Sequence, residues 1–174
     1  MGCCCGCKCC CLILLAVAIF IGASLGIFAS VFPYPSHASC KVDWVFGESC
    51  WEVKSKLITQ MKEWSDDDCT TKQQCNYEYL GEEGNTIRGL HTTPWLKFVD
   101  KFNFTVNTGY DGNCYVKAAS ESQASYAIID FGTNYCNLRN LVIGSHLDED
   151  AHYKENSTNA VCTMYSIAHC NLYT

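Results

Sequence analysis

Apolar and polar residues change rhythm three times along this chain. From Leu12 to Phe32 there are twenty-one residues with no charge, nearly all apolar. At about 1.5 Å of rise per residue, such a run matches a hydrocarbon core of about 30 Å, so it predicts a transmembrane signal anchor over 12–32. Small residues at Ser24-Leu25-Gly26 would serve as a cleavage site. Cleavage there would make the segment a signal peptide and the product secreted.

The second rhythm has a period of three to four. Cys50, Val53, Leu57, Met61 and Trp64 recur at helical spacing, and Ile58 widens the stripe. Just before them, Ser49-Cys50-Trp51-Glu52 matches a capping box, in which serine and glutamate satisfy each other's backbone amides. A helix from 50 to about 64 follows. Asp66-Asp67-Asp68 lies past its end, where negative charge opposes the helix dipole, and stops it.

The third rhythm is alternation. Cys75, Tyr77 and Tyr79 share a face, and Gly81 to Asn85 turns the chain into a strand over 86–92 that Pro94 ends. Trp95 to Lys101 reads as short helix or extended chain. Phe102, Phe104 and Val106 then alternate with Lys101, Asn103 and Thr105. After a turn at Asp111-Gly112-Asn113 come Cys114, Val116 and Ala118, and Gln123 to Phe131 reads as the last strand. Leu138, Leu141 and Val142 suggest a short helix ended by Gly144. From His146 onward no period persists.

These elements predict an α+β fold. A Cys-rich tail over 1–11 and a transmembrane helix over 12–32 precede one domain over 34–174. In that domain one main helix (about 50–64) packs against an antiparallel sheet of about four strands in two layers, stapled by disulfides. This order resembles cystatin-like and other folds in which a helix wraps a sheet. The likeness is of architecture, and no Gln-x-Val-x-Gly inhibitory loop is present.

Charge narrows the partners. Lys8 is the only charged residue before the domain, so the domain carries 11 Lys and Arg against 18 Asp and Glu, a formal charge of −7. Such a surface argues against nucleic acid. Lys8 and the amino terminus on one side of the apolar segment, with no base on the other until Lys41, favour a cytoplasmic amino end. The expected setting is integral in the plasma or secretory-pathway membrane, with the carboxyl domain outside.

Fifteen cysteines split into two sets. Cys3, Cys4, Cys5, Cys7, Cys9, Cys10 and Cys11 crowd the amino end, where thiols beside a membrane segment are candidates for acylation such as palmitoylation. Cys40, Cys50, Cys69, Cys75, Cys114, Cys136, Cys162 and Cys170 form an even set that an oxidising compartment would close into disulfides. Spacing suggests two local pairs, Cys69 with Cys75 and Cys162 with Cys170. The sequons at Asn103 and Asn156 point to the same compartment, as a glycoprotein.

Catalytic motifs are missing: no Gly-x-Ser-x-Gly elbow, phosphate loop, Gly-x-Gly-x-x-Gly fingerprint or His-Glu-x-x-His helix occurs. The segment from His146 to His152 gathers imidazoles and carboxylates, and His146, Asp150 and His152 are candidate metal ligands there. No cofactor is implied. The functional expectation is a membrane-anchored extracellular binding or adhesion module, not an enzyme, contacting a protein, glycan or lipid. The alternatives are a metal-dependent enzyme using His146 to His152, and a purely structural surface or matrix protein.

Overall fold

The computed structural model describes residues 4–31, 35–65 and 73–170, and within 4–31 the side chains of 10–24 and Gly26. Cys3, the Asp66–Asp68 run and Cys69 therefore lie outside the described residues. The chain divides into two units, Met1–Tyr34 and Pro35–Thr174.

The first unit carries α1, Cys4–Val31. Its Ser24 hydroxyl donates to the Phe20 carbonyl at 2.8 Å, satisfying a polar group within its own helix. Cys10 and Cys11 are exposed free thiols. The expected transmembrane anchor over 12–32 is corrected, because among the described residues no helix is long and apolar enough to cross a membrane.

The second unit is built on β1 (Ser39–Phe46), α2 (Cys50–Glu63), β2 (Tyr77–Glu83), β3 (Thr86–Thr92), β4 (Val99–Thr108), β5 (Cys114–Ser122), α3 (Thr133–Gly144) and β6 (Lys154–Asn156). The strands form one six-stranded sheet in the order β2-β3-β4-β5-β1-β6. All neighbours run antiparallel. This is an α+β fold, but the expected four strands and one main helix are too few. β1 precedes the helix and pairs with β5, β6 adds an edge, and a second helix, α3, joins α2 on the same face. The expected strand over 123–131 does not form. Both edges of β5 are already taken by β4 and β1, so the chain leaves the sheet after Ser122.

Local chemistry explains the elements. The capping box forms as expected: Ser49 Oγ accepts from the Glu52 amide at 3.3 Å, and Glu52 Oε2 accepts from the Ser49 amide at 3.1 Å. Val53, Leu57 and Met61 then share the buried stripe of α2, and Lys62 in the last turn suits the dipole. Strand alternation sends Val42, Trp44 and Phe46, Ile87, Phe102, Phe104 and Val106, and Val116 and Ala118 inward. Against them lie Val53, Leu57 and Met61 of α2 and Leu138, Leu141 and Val142 of α3, each fully or almost fully buried. Burying one such side chain contributes roughly 1.5–3 kcal/mol, so this single layer of contact carries most of the stability. The opposite sheet face is polar: Lys41, Asp43, Arg88, Lys101, Lys117 and Glu121 are exposed.

Three disulfides join the described residues: Cys40–Cys162, Cys50–Cys114 and Cys136–Cys170. The local pair expected between Cys162 and Cys170 is thus corrected. Thr163 donates to Ser39 at 2.8 Å and Lys41 to Val161 at 3.0 Å, which lays Cys162 beside Cys40 of β1. The tail after Ile167 then runs to α3, where Cys170 meets Cys136. Cys75 is disulfide-bonded as well.

Candidate ligand pocket

Two connecting segments rise beside the ends of β4 and β5. The first, 93–98, is closed on itself: the Thr93 amide donates to the Phe98 carbonyl at 2.8 Å, and the Phe98 amide donates to Thr93 Oγ1 at 2.9 Å. This turn holds Trp95 79% exposed and Leu96 72% exposed. The second, 123–131, is pinned where Ala38 donates to Ala127 at 2.9 Å and Ala127 to Ala124 at 2.9 Å. It presents Tyr126, Ile128, Ile129 and Phe131, all exposed. Phe98 and Tyr126 meet edge to face at 6.2 Å between centroids, linking the two segments.

Between them opens a cavity of about 550 Å³ whose walls are these apolar side chains and whose floor includes Asp100, Ser122 and Asn134. Asp100 is only 2% exposed and Asn134 fully buried. A chain of hydrogen bonds holds this floor. Asn137 Nδ2 donates to Asp100 Oδ2 at 2.8 Å, Ser120 donates to Asn134 Oδ1 at 2.7 Å, and Asn134 Nδ2 donates to Asp130 Oδ2 at 2.9 Å. Asp130 also accepts from the amides of Gly132 and Asn134 at 3.1 Å each, fixing the first turn of α3. Gly132 has φ +79°, and a Cβ there would stand 2.4 Å from that of Ala168, so both conformation and space require glycine.

Burial pushes the Asp100 carboxyl up to about 6, against hydrogen bonds from Asn137 and Ser122 that favour the charged form; Asp130 raises it further and His37 opposes. His37 is itself held by Nε2 to the Ser122 carbonyl at 2.7 Å. A second buried titratable group, His91 in β3, is pushed down to about 4 by burial, with the Gln73 and Cys75 carbonyls opposing. It lies under Tyr77, with ring centroids 4.6 Å apart.

These two groups give stability opposite dependences on pH. Asp100 ordinarily titrates near 3.8, so its raised value contributes stability that is complete below about 4 and lost as pH rises through about 6. His91 ordinarily titrates near 6.5, so its lowered value contributes stability that is complete above that and lost as pH falls through about 4. Each shift corresponds to roughly 3 kcal/mol, and the two nearly cancel in between. Urea unfolding at successive pH values should therefore show little slope between about 4 and 6 from this pair. His91→Gln should uncover the Asp100 contribution as stability that rises on acidification; an unchanged profile in that variant would contradict the assignment.

The other expected site residues lie elsewhere. In the His146 to His152 segment, His152 Nδ1 lies 4.0 Å from Asp150 Oδ1 while His146 pairs with Glu149. His146 Nδ1 meets Glu149 at 3.0 Å, whereas Asp150 accepts from the amides of Gly47 at 2.9 and 3.0 Å, Glu48 at 3.1 Å and His152 at 2.6 Å. Asp150 thus ties this segment to the turn before α2. Among the described residues no group of three or more His, Cys, Asp or Glu is placed to hold a metal ion. Asn103 sits half-buried on the outer face of β4, and Asn156 is exposed at the end of β6.

A further cluster escapes the sequence altogether. Glu155 of β6 accepts from Trp44 Nε1 at 2.9 Å and from the hydroxyls of Tyr153 at 2.6 Å, Tyr135 at 2.7 Å and Tyr165 at 3.1 Å, with Arg139 Nε at 3.4 Å. Burial pushes its carboxyl up, but the hydrogen bonds from Tyr153, Tyr135 and Trp44 outweigh it and hold the group below the usual range. The cluster is saturated by its own donors, which makes it a fastening of β6 to β1 and α3.

No family model matches the chain. No curated protein matches it. Among solved structures it is similar to TTHA0849 from Thermus thermophilus, at 9% identity over 62% of this chain and 93% of that one, with a TM-score of 0.36. Likeness at that level carries no argument about function.

Proposed function

We propose that the domain is a binding module of an extracellular or secretory compartment, whose ligand is a small molecule with a large apolar body held between segments 93–98 and 126–131. The observation that carries this reading is the set of six exposed apolar side chains, Trp95, Leu96, Tyr126, Ile128, Ile129 and Phe131, gathered around one cavity with a buried polar floor. Concave apolar sites with a few convergent polar groups are the usual form of ligand pockets, and contiguous exposed apolar surface marks a site of contact. The segments also have the character of binding loops, since they are connections set on a rigid sheet. Of the protein, glycan and lipid partners the sequence leaves open, a lipid-like small molecule fits best.

The compartment is supported by three disulfides, which persist where the surroundings are oxidising. Asn156, exposed in its sequon, is proposed to carry a glycan there. The exposed thiols of Cys10 and Cys11 are proposed as acylation sites on α1.

The test uses the neutral fluorophore N-phenylnaphthylamine with the oxidised full chain. Saturable binding is expected, and Trp95→Ser with Phe131→Ser should weaken it at least about tenfold, a loss of about 1.4 kcal/mol. Equal affinity in the doubly substituted chain, with its fold intact by circular dichroism, would rule this pocket out as the site.

A further inference from the structure

The pocket's charges are all of one sign where they face the cavity floor. Among its described lining residues there is no Lys or Arg, while Asp100 and Asp130 both contribute. Asp100 is almost completely buried and, among the described residues, accepts from the neutral donors Asn137 and Ser122. A carboxylate has room for about four hydrogen bonds, so Asp100 retains acceptor capacity toward a ligand. The mouth carries Trp95, Phe98, Tyr126 and Phe131, whose ring faces attract cations.

Three ligand heads can be compared on this floor. A carboxylate or phosphate would meet two carboxylates with no Lys or Arg among the described lining residues to offset them, a desolvated like-charge contact that costs several-fold in affinity at least. A hydroxyl would gain one hydrogen bond to a carboxylate. An ammonium would gain that bond and the charge as well, in a low-dielectric setting where both are strengthened, and would pass the aromatic rings on entry. Of the imidazoles nearby, His37 is engaged by the Ser122 carbonyl, and His169 lines the cavity from the exposed tail.

Resting on the binding function proposed above, we infer that the ligand is an organic cation, an apolar or aryl body bearing a primary ammonium group that seats on the Asp100 carboxylate. The apolar body fills the space between Trp95 and Phe131, and the ammonium lies at the floor.

Three isosteric probes test this with the oxidised full chain: naphthylmethylamine, naphthylmethanol and naphthoic acid, each titrated calorimetrically at neutral pH. The amine should bind at least about tenfold more tightly than the alcohol, and the acid most weakly. Asp100→Asn should abolish the amine's advantage over the alcohol, weakening the amine far more than the alcohol. Should that variant not fold, the intact chain still decides, because amine affinity should fall as pH drops through about 6 and Asp100 takes up its proton, and should fall more steeply than alcohol affinity. Acid bound as tightly as amine, or an amine affinity indifferent to pH over that range, would overturn the cation inference and leave the pocket's binding role standing. Binding of none of the three, together with no binding of N-phenylnaphthylamine, would overturn both.

Discussion

Replacing Glu155 by leucine should lower the stability of the domain by about 3–5 kcal/mol, the range for removing one partner from a buried charged network. The substitution removes the common acceptor of Trp44, Tyr135, Tyr153 and Tyr165 and leaves the Arg139 guanidinium with Asp148 at 3.6 Å, its Nη1 having no hydrogen-bond partner among the described residues. Trp44 is almost wholly buried in the centre of the core, and its indole N–H would then have only the Tyr153 hydroxyl at 3.2 Å. Glu155→Gln keeps one oxygen as acceptor and should lose less, about 1–2 kcal/mol. Urea unfolding of the oxidised chain measures both. Because the Glu155 carboxyl is held below the usual range, its contribution is complete above that range and is lost as pH falls through the lowered value. The leucine variant should accordingly be less sensitive to acid than the parent. A loss below about 1 kcal/mol would mean that water satisfies these donors equally well.

Removing the Cys40–Cys162 disulfide, as Cys40→Ala with Cys162→Ala, should cost about 5 kcal/mol. The bridge closes a sequence separation of 122 residues, and loop-closure entropy grows with that length. The backbone bonds from Thr163 to Ser39 and from Lys41 to Val161 remain available in the folded variant, so the effect acts chiefly on the unfolded chain. Removing Cys136–Cys170, at a separation of 34, should cost about 4 kcal/mol or less. Denaturation of the two paired variants therefore gives an ordering as well as a magnitude. The reverse order would show that Cys136–Cys170 acts through native packing of the tail on α3.

Much of this architecture is legible in local patterns, and its gaps have physical causes. The capping box at Ser49 and Glu52 and the alternation of Phe102, Phe104 and Val106 are short-range signals, and both elements form. Cys40, Val42, Trp44 and Phe46 alternate as strictly between Lys41 and Asp43. What local pattern does not encode is that this strand inserts between β5 and β6, the pairing with β6 reaching across more than a hundred residues. Tyr126 to Phe131 alternates too, yet forms no strand; both edges of β5, the strand it follows, are taken by β4 and β1. Its large side chains are exposed, which periodicity alone cannot distinguish from a buried strand.

The pocket was hidden for a related reason. Its walls come from 93–98 and 126–131 and its floor from β4, β5 and α3, segments that only the sheet order brings together. Asp100 reads in sequence as one polar residue at the start of a strand. Its burial follows from β4 being central, from Asn137 on α3 reaching it, and from Ser122 lying opposite it on β5. The metal-like grouping of His146, Asp150 and His152 shows the converse. Asp150 and His152 stay close, with Nδ1 4.0 Å from Oδ1, but backbone amides of Gly47 and Glu48 also claim the Asp150 carboxylate.

Hydrogen exchange of the full oxidised chain, with and without saturating N-phenylnaphthylamine, tests most directly whether this cavity is the binding site. Amides of 93–98 and 123–131 lie on connecting segments with few sheet bonds and should exchange readily in the free chain. Ligand should slow exchange at those two segments and leave the polar outer face of the sheet unchanged. Protection that appears elsewhere, with both segments exchanging as before, would contradict it.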